Sequence, residues 1–78
     1  MDWKKKSEVL RQAKKVNRQV TIWPPDTASS YTLETERLTG QVQAVNDREK
    51  NTTIYFANRG TRTFSDGEIG TVQLWPGN

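Results

Sequence analysis

"VTIWPPD" (residues 20–26) and "VQLWPGN" (residues 72–78) are one phrase written twice: Val, a polar residue, a branched aliphatic, Trp, Pro, then Pro or Gly and an Asp or Asn. Apolar and polar residues alternate in both, so Val20 with Ile22, and Val72 with Leu74, share one face of an extended strand. Both stop at a proline, which has no N–H to donate to a ladder. Two matched strands near the two ends of a β region read as twin edges of a small barrel. Trp23 and Trp75 then stand at strand ends, either as exposed aromatic surface or as buried plugs at the barrel mouths.

Upstream of the first phrase the period changes. Over residues 3–16, Trp3, Leu10, Ala13 and Val16, with Val9 beside them, recur at helical spacing and form one apolar stripe. Asp2 is placed to cap the first turn and Asn17 to end the last. Residues 1–17 therefore read as a basic amphipathic helix, with its lysines largely on the outward side.

Downstream, Tyr31 and Leu33 open a second strand that runs on through Leu38, Gly40, Val42 and Ala44 or Val45, with a bend or bulge expected at Gly40. "NDREKN" at 46–51 is a charged turn, and "TTIYFAN" a strand with Ile54 and Phe56 on one face and Tyr55 on the other. "NRG" leads into "TRTF", and "SDGEIG" at 65–70 into the last strand. One helix followed by five short strands over residues 18–78 gives a mainly β domain built as a five-stranded small β-barrel, closed or half-closed.

Composition bounds the chemistry. Seventy-eight residues make a single domain near the size where one core just suffices, and 32% hydrophobic residues with a mean hydropathy of −0.91 make that core thin. The chain has neither His nor Cys, which removes the commonest general bases, the thiol nucleophile and the usual transition-metal ligands. A non-enzymatic protein without metal or cofactor is expected. Glu34 with Glu36, and Asp66 with Glu68, read as solvated faces and turn chemistry rather than as catalytic pairs. No apolar run has membrane-spanning or signal-peptide length, so no membrane partner and a cytoplasmic location are expected.

Charge is concentrated at one end. Residues 1–18 hold seven basic groups (Lys4, Lys5, Lys6, Arg11, Lys14, Lys15 and Arg18) against two acids, a net of +5, whereas residues 19–78 hold five against seven. Such asymmetry points to an anionic partner, or to a merely solvated helix face. Single-stranded nucleic acid is held by cations on phosphates and rings stacked on bases. Tyr55, with Arg48, Arg59 and Arg62 nearby in sequence, and a second platform of Trp23 and Trp75 supply those types; alternatively Tyr55 packs under the helix.

The stretch "LTGQVQAVNDREKNTTIYF" (38–56) is similar to the first signature of Sm-like proteins, a family of small SH3-like barrels preceded by a helix. Gly40 and Val42 match; Asn46 stands where an acid is expected with Asn51 one residue late, or Asp47 and Asn51 keep the spacing with one insertion. The last strand, "EIGTVQLWPGN", lacks the Arg-Gly pair of uridine-binding members. "FSDGEIGTV" (64–72) resembles the closing segment of the Rho-off family, Sm-like inhibitors of the transcription terminator Rho. The resemblance implies a small regulatory protein, able to oligomerise through its sheet edges. Two functions follow as expectations: a regulator contacting RNA or single-stranded DNA through the helix and exposed aromatics, or a protein-directed modulator, such as an inhibitor of Rho or a phage inhibitor of a host complex, docking on a larger protein complex.

Overall fold

The computed structural model describes residues 1–25 and 38–76. Helix α1 spans Trp3–Val16 and is followed by strands β1 (Gln19–Trp23), β2 (Leu38–Asn46), β3 (Asn51–Phe56), β4 (Gly60–Ser65) and β5 (Thr71–Leu74), with a 3₁₀ turn, Asp66–Glu68, before β5. The expected first half of the second strand, Tyr31 and Leu33, lies outside the described residues, as do Glu34 and Glu36.

The ends of α1 follow its capping chemistry. The Asp2 carboxylate accepts the Lys5 backbone N–H at 2.9 Å, satisfying one of the donors that a helix start leaves orphaned. At the other end Asn17 takes the left-handed conformation (φ 59°), and Arg18 N–H returns to the Ala13 carbonyl at 2.8 Å.

The sheet is antiparallel in the order β4-β3-β2-β1-β5. The first and last strands are neighbours as the twin phrases require, with Val20 opposite Leu74 and Ile22 opposite Val72. Of the closed or half-closed barrel expected, the described residues give the open form: among them the hydrogen-bonded sheet ends at β4 and β5 and does not close on itself. Its strands still curl round one core of Val20, Ile22, Val42, Ile54, Phe56, Phe64, Ile69 and Val72, on which α1 sets Trp3, Leu10 and Ala13. Each Val, Leu, Ile or Phe among them contributes about 1.5–3 kcal/mol through burial. Phe56 and Phe64 meet edge to face at a centroid distance of 5.9 Å.

The irregularity in β2 is displaced from the expected glycine. Register shifts between Val42 and Ala44, so Gln43 is the extra residue of a bulge, and Val45 rather than Ala44 turns to the core. Gly40 serves a different need. A Cβ there would lie 2.6 Å from the Tyr55 carbonyl oxygen and 2.7 Å from Ile54 Cγ2, so β3 crosses β2 where no side chain fits. Gly70 is constrained likewise: a Cβ would sit 2.6 Å from the Pro24 carbonyl oxygen, and its N–H bonds the Trp23 carbonyl at 2.8 Å. The Trp-Pro-Pro end of β1 thus lies over the residue that leads into β5.

Two expectations for α1 are corrected. Val16 is exposed, and the seven-residue gap between Trp3 and Leu10 is filled by Lys6 and Ser7, both buried. Lys6 is 5% exposed and does not face outward. Its stem lies along the apolar floor while the ammonium group is captured by Asp66, donating to Oδ1 at 2.6 Å and to the backbone carbonyl at 3.0 Å.

Candidate nucleic-acid interface

Among the twelve residues expected to bind a partner, the structure unites those on one flank of α1. At about 100° per residue, Lys4, Arg11, Lys14 and Lys15 fall within one sector of α1, and all four are exposed; Arg18, also exposed, lies just beyond the left-handed cap at Asn17. From Lys4 to Lys15 this cationic strip covers about 16 Å of helix. Lys5 is exposed on the opposite flank, and Lys6 leaves the surface altogether.

The β2–β3 turn stands against this strip. Asn46 Oδ1 accepts the Glu49 N–H at 3.0 Å, and Lys50 takes a left-handed φ of 53° to re-enter β3. The turn carries Asp47 to the helix, where its carboxylate accepts the Trp3 indole Nε1–H at 3.0 Å and forms an ion pair with Arg11. The Arg11 guanidinium, then the Trp3 N–H, hold the Asp47 carboxyl below the usual carboxylate range. Turn and helix are pinned together a second time through Asp66, whose N–H donates to the Lys50 carbonyl at 2.8 Å while its side chain holds Lys6.

Two open clefts border the strip and share Arg11. The first, of about 550 Å³, is lined by Asp2, Trp3, Lys4, Ser7, Glu8, Arg11, Asp47 and Lys50, so three cations face three carboxylates. The second, of about 440 Å³, is lined by Arg11, Lys14, Lys15 and Val45, with three cations, no carboxylate and an apolar floor. Charge decides between them: only the second offers a net attraction to an anion.

The aromatic candidates do not form one platform. Tyr55 is 45% exposed on the outer face of the sheet, opposite Gln41 and Thr61, and so does not pack under the helix. Arg62 lies opposite Ile54 on the other face of the sheet, its guanidinium 4.8 Å from the Phe64 ring centroid, so it is corrected from a partner of Tyr55 to a cover for Phe64. Arg59 is exposed in the β3–β4 turn, at the Tyr55 end of β3, whereas Arg48 is in the turn at the other end. Trp23 pairs with Thr71 while Trp75 donates its N–H to the Gln19 carbonyl, which puts the two indoles at opposite ends of the β1–β5 ribbon, about 13 Å apart along the strand. Both are half-buried, and the expected second platform is dissolved by the antiparallel register.

Sequence reasoning missed Asp47 and Asp66 as the residues that organise this surface. Both stand in turns, where an Asp is ordinary, and the Trp3–Asp47 and Lys6–Asp66 pairs are separated by 44 and 60 residues. Among the described residues, no group of three or more Asp or Glu side chains is placed to hold a metal ion, and no helix is long and apolar enough to cross a membrane. Comparison with protein-family models, curated proteins and solved structures finds no match to this chain.

Proposed function

We propose that the protein is a non-enzymatic regulator that binds RNA or single-stranded DNA through the cationic flank of α1. One observation carries this reading: four exposed cations of α1 share one helical sector, continued by the exposed Arg18 just past the helix end, while Lys5 and Lys6 are set apart by position and burial. A strip used only for solubility has no need of such order. Phosphates placed along it release counterions, so affinity falls with salt by about 0.7 in log–log slope for each phosphate neutralised on a single strand. Tyr55 and Arg59 supply a separate stacking contact on the outer sheet face, reached by a strand that leaves the helix flank.

The test is charge reversal on the strip. The combined variant Lys4→Glu, Lys14→Glu and Lys15→Glu changes only exposed side chains, so its circular dichroism should match the wild type while retention on heparin and on a labelled single-stranded RNA is lost. Reversal of Lys5 alone should change retention little. Equal retention by wild type and triple variant would refute the reading.

A further inference from the structure

We propose that Asp47 is a built-in competitor for the phosphate site on α1: it holds Arg11 over the neutral cleft, and a nucleic-acid phosphate entering the cleft of Arg11, Lys14, Lys15 and Val45 takes Arg11 from it. This rests on the reading of the helix flank as a phosphate-binding surface and adds how that surface is regulated. Arg11 is the only side chain common to both clefts. Its guanidinium is engaged by the Asp47 carboxylate, an oxyanion seated on the Trp3 indole N–H and the arginine fork. The carboxylate thereby occupies one of the three cations that an incoming phosphate needs.

Exchange is energetically feasible because the pair is exposed. The Arg11 and Asp47 side chains retain 53% and 47% of their accessible surface, and an ion pair in that setting contributes little against water and salt. A phosphate offers Arg11 a bidentate partner of higher charge, with Lys14 and Lys15 adding attraction at the i+3 and i+4 positions. Asp47 does not lose every partner when Arg11 leaves, since the Trp3 N–H remains beside it. The half-buried Val45 on the cleft floor gives a sugar or base edge an apolar surface to cover.

The pair sets a threshold. A solitary anion displaces Asp47 only at high concentration, whereas a strand that already engages Lys14 and Lys15 delivers its phosphate at high effective concentration.

Four chains decide the matter in fluorescence titrations of a labelled 12-nucleotide single-stranded RNA at several salt concentrations: wild type, Asp47→Asn, Arg11→Gln and the double variant. Asp47→Asn should bind about two- to fivefold tighter and steepen the salt dependence by about 0.7, one more phosphate neutralised. Arg11→Gln should remove that gain, so that the double variant binds as Arg11→Gln does. A gain that survives in the Arg11→Gln background would reveal a general charge effect and overturn the competition, as would Asp47→Asn binding no tighter than wild type. Nuclear magnetic resonance of the Trp3 indole N–H during titration with inorganic phosphate, against chloride at equal ionic strength, tests the displacement without nucleic acid. If no chain binds RNA, the proposed function fails; a saturable phosphate shift of the indole resonance would still support the exchange, and its absence would overturn that too.

Discussion

Lys6 shows how one residue can be misplaced by a helical pattern and why the error is physical. Its four-carbon stem lies along the same apolar surface as Trp3 and Leu10, and only the terminal ammonium needs a polar partner, which Asp66 supplies from 60 residues away. The partner is about a third exposed, so removing the ammonium leaves a carboxylate that water can reach. Lys6→Met should therefore cost about 1.5–3 kcal/mol, the range for a hydrogen bond to a charged group, seen in urea unfolding as a lower midpoint with an unchanged slope. A stability equal to wild type would show that the Lys6–Asp66 contact contributes nothing to folding.

Asp47 makes a different prediction at the same scale. Arg11 and Trp3 depress its carboxyl below the ordinary value, and the Lys5 N–H depresses that of Asp2. A carboxyl with a lowered folded-state value gives stability that is complete above the unfolded value near 3.8 and is lost as pH falls through the folded one. Stability should accordingly decline as the solution is acidified below about pH 4, and the decline should be shallower in Asp47→Asn, which has no proton to take up. Parallel declines in thermal unfolding between the two chains would contradict the assigned contact.

At the scale of elements, the close crossing of β2 and β3 decides the curl of the sheet. Gly40 allows β3 to approach where an added methyl would overlap backbone, and the Gln43 bulge then changes which side chains turn inward. Gly40→Ala should cost about 3 kcal/mol, the upper end for overpacking, and lower the melting temperature by some 15 °C. A melting temperature within a few degrees of wild type would mean that the strands part easily. The alternation in β3 and β5 was legible because one face of each is buried and the period is two, and that of β1 because the residue between Val20 and Ile22 is a Thr, although Thr21 is buried too. The bulge was not: Gly40 and Gln43 are both compatible with a break in β2, and only the register against β3 distinguishes them. The same limit applies to the site. Helical spacing turned the lysines largely outward but did not distinguish the strip of Lys4, Arg11, Lys14 and Lys15 from Lys5 and the buried Lys6; the antiparallel register separated Trp23 from Trp75, and strand pairing put Arg62 on the face opposite Tyr55.

The whole molecule depends on pairing its first strand with its last. β5 adds Val72 and Leu74 to the core, gives β1 its second hydrogen-bonded neighbour and lies against α1, so it joins the helix to the sheet. A chain ended at Gly70 would leave the Val20 to Trp23 edge bare and expose the buried surfaces of Leu10 and Val20, each fully enclosed in the intact protein. In a domain of this size the surplus of burial over chain entropy is small, and losing one strand of five exceeds it. The truncated chain should show no cooperative thermal transition, bind a hydrophobic dye and lose near-ultraviolet dichroism from Trp3, while adding the missing β5 segment as a peptide should restore part of the signal. If the truncated chain instead melts cooperatively near the wild-type temperature, β1 and β5 are not the closure of this fold, and the helix would then owe its position to β1, β2, the Asp47 turn and the Lys6–Asp66 contact.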